Sequence, residues 1–407
     1  SNYSYLEIAQ QALTKGIWVG HRIFTAFWSF KGIFDIFGTQ VEAYLFVNYL
    51  LHVVNLILFY KILEKMKRST FISVFITFIL GAFYLTWISN MHELMGGTFV
   101  LTSLYFWVRF LKEGKWLWTV TIFYLLALIS KEITFLLVPA VFLFTIYYHF
   151  NIKKLRVGKV LKESLPLLIV FLLYSFFYAA RFLGYSHLPS DEGYKMALSL
   201  ALLIKNLTVY TSMLVPLVNT SYIGMILFVL VFIGFDYWKK KPVVTPLLLS
   251  YFLFLSPPSF FANRISNYYT YIPSFFLFIG LALIIWEFSK WKVFSNKFVG
   301  VISIFIIAVG IFGVNKTLMD NCFLIQFPWK KEHKQTFLSL VRRIDVIVEQ
   351  GQLKKGMKIE LSEKEKTTDM ESLYDTETLH LFLAREEARE ARFIYNKDAG
   401  VLTVDAK

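Results

Sequence analysis

Apolar runs of near-span length recur along the first 315 or so residues, separated by short basic or turn-forming segments. The clearest is Tyr44–Leu63, a twenty-residue run long enough, at about 1.5 Å per residue, to cross a bilayer core. Asn48, His52 and Asn55 interrupt it at i, i+4 and i+7, so they share one helical face. A histidine and two amides are costly in hydrocarbon unless partners or water meet them. The helix is therefore expected to turn this stripe toward a bundle interior or a wet cavity. Hydrogen bonding between helices and a role in a site both fit.

The same pattern predicts spans near 44–63, 70–89, 93–111, 115–130, 133–150, 164–184, 222–238, 243–257, 268–288 and 298–315, about ten helices. The expected fold is an all-α polytopic membrane protein in three parts: 1–41, 42–315 and 316–407. Residues 1–41 carry Lys15, His21, Arg22, Lys31 and Asp35 on a moderately apolar background and read as amphipathic helices at the membrane surface. The last part is different material. Residues 332–350 have helical periodicity, while Met357–Leu361, Leu379–Leu383, Ala391–Tyr395 and the closing GVLTVDAK read as short strands or a strand–helix mix, predicting a small C-terminal α/β domain.

Charge orients the spans. Lysines and arginines cluster in KILEKMKRS, Lys112–Lys115, Lys153–Lys162, Lys239–Lys241 and Lys290–Lys297, and the alternate loops are poor in net positive charge. Basic loops stay cytoplasmic, which places 1–41 and 316–407 on the extracytoplasmic side. A chain that starts outside needs an upstream signal or span, so the numbering is expected to begin downstream of the true N-terminus. The net charge of +14 would suit nucleic acid, but its distribution in short loops follows topology instead, and no nucleic-acid partner is expected. Composition agrees: the chain is 57% hydrophobic and 19% aromatic, with mean hydropathy +0.55. Abundant Phe, Ile and Lys at a low charge fraction are compatible with a bacterial plasma membrane. The single cysteine, Cys322, excludes an intrachain disulfide framework, and no HExxH, P-loop or GxGxxG motif occurs.

Chemistry in such a protein belongs where ionisable and aromatic residues gather at one membrane face, here the outside. Glu93 follows His92 at a predicted helix start; its carboxylate either favours the helix dipole or aims into a cavity. Lys131 and Glu132 form almost the whole connection between two apolar runs. Both charges must face protein or water, and mutual pairing is the simple reading, although adjacent residues do not face each other on a helix. Arg22 and Arg264 suit a phosphate, which guanidinium grips bidentately, or else snorkel to headgroups. Asp35 is the next carboxylate. The loop Gly184–Thr220 contains an apolar stretch, Met196–Val218, broken by Lys205, Asn206 and Pro216, and is expected to lie at or dip into the interface as a cover. Sequons at Asn206 and Asn219 are short enough to occur by chance.

Five segments, in order, resemble the GT-C superfamily of polyprenyl-phosphate-sugar-dependent glycosyltransferases, nearest to the protein O-mannosyltransferase and transmembrane-TPR branch. HRIFTAFWSFKGIFDIFG (21–38) places Arg22 at the family's arginine, and FVNYLLHVVNLILFYKIL (46–63) carries the Asn48, His52, Asn55 stripe in register. WISNMHELMGGTFVLTSLYFW puts Glu93 where the family has an aspartate. LLALISKEITFLLVP (125–139), with Lys131 and Glu132, is the most specific piece, and NYYTYIPSFFLFIGLAL aligns Tyr269, Tyr271 and Pro273. The resemblance covers about residues 17–285. The opening SNYSYLEIAQQ lacks the acidic pair of the family's first outside loop, no 34-residue repeat follows, and Asn267–Tyr268 replaces an acidic–arginine pair that Arg264 could supply.

The resemblance implies an inverting membrane glycosyltransferase. Glu93, then Asp35, would be the catalytic carboxylates, with Arg22, Lys131 and Arg264 on the donor phosphate and His52, His92, Glu132, Tyr269 and Tyr271 lining the cavity. The implied partners are a polyprenyl-phosphate sugar donor, membrane lipids and a protein or glycan acceptor. No metal is required by any spacing, though a divalent cation is compatible. Two other readings stand: a non-catalytic GT-C-like subunit scaffolding a larger membrane complex, and a transporter, for which no inverted repeat of broken helices is evident.

Overall fold

The computed structural model describes residues 29–38, 41–66, 69–81, 91–152, 154–184, 197–215, 218, 221–261, 265, 267–290, 339–340, 342–352, 354, 357–361, 391–396 and 401–406. The chain divides into two compact units, Ser1–Lys316 and Thr317–Lys407.

The first unit is helical: α1 (Phe30–Phe37), α2 (Val41–Lys65), α3 (Thr70–Gly81), α4 (Met91–Glu113), α5 (Leu117–Leu128), α6 (Leu137–Asn151), α7 (Val157–Glu163), α8 (Leu165–Gly184), α9 (Leu200–Leu214), α10 (Tyr222–Lys239), α11 (Thr245–Ser259) and α12 (Tyr271–Phe288). Short 3₁₀ segments, Glu132–Leu136 and Asn267–Thr270, lead into α6 and α12. Most of these helices are apolar on nearly every face, which is the composition of segments that meet lipid on one side and protein on the other.

Among the described residues, five helices are long and apolar enough to cross a membrane: Glu42–Lys65, Met91–Glu113, Glu132–Asn151, Tyr222–Lys239 and Tyr268–Phe288. Shorter apolar helical stretches occupy Thr70–Gly81, Leu117–Leu128, the first part of α8 (Leu165–Phe176) and Leu200–Leu214. Five of the ten expected spans thus coincide with these helices; of the others, 115–130 and 243–257 hold the shorter α5 and α11, 164–184 is the helix α8, and residues 82–89 of the span expected over 70–89 lie outside the described residues. The span expected over 298–315 lies outside the described residues. The stretch expected to dip into the interface contains α9, started by the Ser199 side chain accepting from the Leu202 amide.

Packing is organised around α12, which touches α3, α4 and α11. Its apolar window is 72% buried inside the unit, against 22% for α10. Helix α4 lies between α2 and α5, and α11 contacts α6, α9 and α12. The link from α10 to α11 is tied by one carboxylate. Asp236 accepts from the amides of Val243 (2.7 Å), Val244 (2.8 Å) and Thr245 (2.9 Å), satisfying donors at the start of α11 that have no partner within the helix.

The second unit contains a three-stranded antiparallel sheet in the order β1 (Lys358–Glu360), β3 (Val401–Ala406), β2 (Ala391–Asn396). Ile359 opposes Leu402, and Phe393 opposes Val404. Leu402 and Val404 are buried and alternate with partly exposed neighbours, the period-two pattern of a strand with one covered face. Residues 342–349 are helical, with Leu340 and Ile344 buried.

Candidate active site

Two polar clusters meet where α2, α4 and α12 come together, the first built by helix ends and the second by the middle of α2 against the starts of α4 and α12. The first centres on Lys131. The chain leaves α5 and turns extended at Lys131 (φ −153°, ψ 127°) before entering the 3₁₀ segment. That break frees the lysine from the helix pattern and points it inward. Its ammonium lies 2.7 Å from Glu93 Oε1 and 3.4 Å from Glu132 Oε1. Glu93 stands in the first turn of α4, where the helix dipole favours an anion. Lys131 is 1% exposed and Glu93 2%. The rings of Tyr268 and Tyr269 complete the setting, with centroids 5.7 Å and 5.5 Å from the ammonium. His92 Nε2 is 3.8 Å from Glu93 Oε1, and its ring meets Tyr268 edge-on.

The extended break also explains the charge geometry. Adjacent helical residues diverge, but off the helix Lys131 and Glu132 can approach each other. The simple pairing expected of these two is present, and Glu93 is the shorter partner.

The second cluster uses the polar stripe of α2. Asn55 donates both amide hydrogens, to the Leu94 carbonyl (2.9 Å) and to the Tyr271 hydroxyl (2.8 Å). His52 Nδ1 is 3.1 Å from the same hydroxyl, and its Nε2 is 3.1 Å from the Gly81 carbonyl. A carbonyl only accepts, so Nε2 carries the hydrogen, Nδ1 accepts, and the Tyr271 hydroxyl donates to it. Every hydrogen in this chain then has an acceptor. Glycine permits the close approach: a Cβ on Gly97 would lie 2.8 Å from Tyr271 Cε1, and one on Gly96 would lie 3.0 Å from the Lys131 Cβ.

The structure therefore brings together Glu93, Lys131, Glu132, His92 and Tyr269 in one cluster and His52 with Tyr271 in the other. Asp35 stands apart on α1, 40% exposed at its side chain and paired with Lys31 at 2.8 Å. Arg22 and Arg264 lie outside the described residues. His52 and Tyr271, expected to line a cavity, are both buried and hydrogen-bonded to one another. Among the described residues no group of three or more His, Cys, Asp or Glu could hold a metal ion. A cavity of about 500 Å³ lies in the second unit, lined by Arg342, Arg343, Val346, Ile347, Ile359 and Glu360, and none of the sequence-predicted site residues lines it.

Residues 22–179 match the family model described as dolichyl-phosphate-mannose-protein mannosyltransferase. The resemblance to the GT-C membrane glycosyltransferases holds over that stretch. It takes in Glu93, Lys131 and Glu132, the ionic heart of the first cluster, and it ends before the tyrosines that enclose them. No match is found among curated proteins or solved structures.

Two members of these clusters carry no assignment from the sequence. Asn55 is visible there in the polar stripe, without a role of its own. Tyr268 sits beside the aligned Tyr269 with no periodicity to single it out, since Asn267–Thr270 is a 3₁₀ turn rather than an α-helix. The Asn206 sequon also resolves: its amide is buried and donates to the Ser259 and Phe261 carbonyls, both at 3.0 Å, so it serves packing in the folded chain.

Proposed function

We propose that this protein is a membrane glycosyltransferase that moves a sugar from a polyprenyl-phosphate donor to a hydroxyl on a protein or glycan acceptor, at the extracytoplasmic face of a bacterial plasma membrane. The observation that carries the reading is the buried Glu93–Lys131 pair, with the partly exposed Glu132 beside it, inside the family-matched stretch. Buried ionisable groups at membrane depth are costly and mark function more often than packing.

In the reaction, the acceptor oxygen attacks the anomeric carbon as the bond from that carbon to the donor phosphate breaks. Glu93 takes the acceptor proton as general base. The phosphate leaves with the bond's electron pair, and Lys131 stabilises it in a water-poor setting; Arg22 and Arg264 are the further cations the sequence offers for the same charge. Lys131 already compensates the Glu93 charge, so a donor phosphate that competes for the ammonium would release the carboxylate to the acceptor. Asp35 stands second as a carboxylate because it is exposed and already paired. Side chains fill each of these roles, and a divalent cation remains compatible with them.

The test is sugar transfer from a labelled polyprenyl-phosphate sugar by the purified protein, with Glu93→Gln and Arg22→Ala beside it. Loss of a general base costs about 10²- to 10⁴-fold, so transfer should collapse in Glu93→Gln while the protein still folds. Absence of transfer from a broad donor panel by intact protein would defeat the reading in favour of the scaffold, for which the mutual neutralisation of Glu93 and Lys131 also gives a purpose: two helix ends locked together.

A further inference from the structure

We infer that Asn55 and His52 of α2 and Tyr271 of α12 form a positioning assembly for Glu93, holding the first turn of α4 in place; the inference rests on the proposed role of Glu93. The argument begins at the Leu94 carbonyl, one residue beyond the carboxylate. That carbonyl accepts from the Asn55 amide at 2.9 Å and from the Thr98 hydroxyl at 2.9 Å. Within a helix the first-turn carbonyls already accept from amides four residues on, while the first N–H groups have no partner, so a bond to the Leu94 carbonyl from outside α4 adds to the helix's own. The Asn55 bond is therefore an anchor supplied from another helix.

Asn55 does not act alone, because its orientation is set by its second hydrogen. That hydrogen goes to the Tyr271 hydroxyl at 2.8 Å, the hydroxyl goes on to His52 Nδ1 at 3.1 Å, and His52 Nε2 ends the chain on the Gly81 carbonyl at 3.1 Å. Direction is fixed at each link, since Gly81 can only accept. Helices α2, α3, α4 and α12 are thereby referenced to one another through a wire that ends on Gly81 and whose opposite end, at Asn55, touches the backbone beside Glu93. Tyr271 also bears on the next turn of α4 by packing: its ring occupies the space that any Gly97 side chain would need. Asn55 and Tyr271 are 0% and 2% exposed, so water cannot substitute for a lost partner without entering the core.

A structural wire anywhere in the bundle would lower stability when cut, so the test needs a readout at Glu93 itself. Labelling by a hydrophobic carbodiimide, quantified at the Glu93 peptide by mass spectrometry, supplies one and does not depend on activity. Tyr271→Phe removes only the hydroxyl and Asn55→Leu removes the anchor. Thr145→Val serves as the control, cutting a buried bond from Trp107 Nε1 (3.0 Å) on the far stretch of α4. Faster Glu93 labelling in Tyr271→Phe and Asn55→Leu, by several-fold over both wild type and Thr145→Val, is the expected result, with Asn55→Gln, which keeps the amide, falling between. Equal labelling in all variants of matched thermal stability would overturn the assembly. In the transfer assay the same variants should lower kcat with KM little changed. If wild type transfers no sugar while the labelling contrast holds, the glycosyltransferase reading fails and the positioning of Glu93 stands; if wild type transfers and the contrast is missing, the reverse is true.

Discussion

Lys131 occupies a setting in which its own charge is tolerable only because of its neighbours. An ammonium 1% exposed gains from the Glu93 and Glu132 carboxylates and from two tyrosine faces, and the removal of one partner from a buried pair typically costs about 3–5 kcal/mol. Lys131→Met is accordingly expected to lower the melting temperature strongly, by taking away the ammonium that faces the buried Glu93. The double variant Lys131→Met/Glu93→Gln should recover more than half of that loss; thermal unfolding in detergent across the four-member cycle measures the coupling. Asp35 gives the opposite case. Its pair with Lys31 is exposed on α1, exposed pairs are worth about 0–1 kcal/mol, and Asp35→Asn should leave both melting and sugar transfer near wild type. The residue types at these positions are legible in the sequence, and so is the oddity of charges between apolar runs. Their distances are not. Glu93 and Lys131 meet because of a short extended break in a segment of ordinary helix formers, with no glycine or proline to announce it.

At the scale of elements, hydrophobic period places most helices within a few residues, from Met91–Glu113 for the expected 93–111 to Tyr222–Lys239 for 222–238. The segments read as strands at Ala391–Tyr395 and in the closing GVLTVDAK are β2 and β3, while Leu379–Leu383 lies outside the described residues. What period cannot supply is partnership. The stripe on α2 announces a polar face, but its partner Tyr271 lies 216 residues away in sequence from Asn55, and a face does not name what it meets. Glycine contrasts make the helix contacts testable. Gly97→Ala would drive a methyl to 2.8 Å from the Tyr271 ring, and overpacking of this kind costs about 1–3 kcal/mol. Gly158, in α7, has open space within 4 Å of the point where a methyl would stand; there alanine should be neutral or stabilise by about 0.5–1 kcal/mol through helix propensity. Opposite signs of the two shifts in thermal unfolding are the expected outcome, and an undiminished melting temperature in Gly97→Ala would mean that α4 and α12 are held less closely than their 2.8 Å approach requires.

For the whole first unit, burial is graded from α12 at the centre to α10 and α2 at the margin, whose apolar windows are 22% and 28% buried. Exposed Ile223, Ile226, Leu227, Leu230 and Val231 give α10 the long apolar face of a helix that meets lipid tails. A buried Phe276→Ala on α12 should therefore cost about 3–5 kcal/mol, whereas Leu227→Ala should cost little, because lipid fills what the side chain leaves. The ion pair at the centre has a further consequence, for how the protein is made. Glu93 is synthesised 38 residues before Lys131, and at about 5–20 residues per second that interval lasts seconds. During it the α4 carboxylate, in the first turn of the span rather than at its centre, reaches the bilayer ahead of the ammonium that later faces it, at a cost below the roughly 2.5–3.5 kcal/mol of an acidic residue at the middle of a span. Helix α4 is thus expected to hold only loosely in the membrane until the α5–α6 turn emerges. Nascent chains stalled before residue 131 should be stripped from membranes by alkaline carbonate more readily than chains stalled beyond residue 151, and Lys131→Met should abolish the difference.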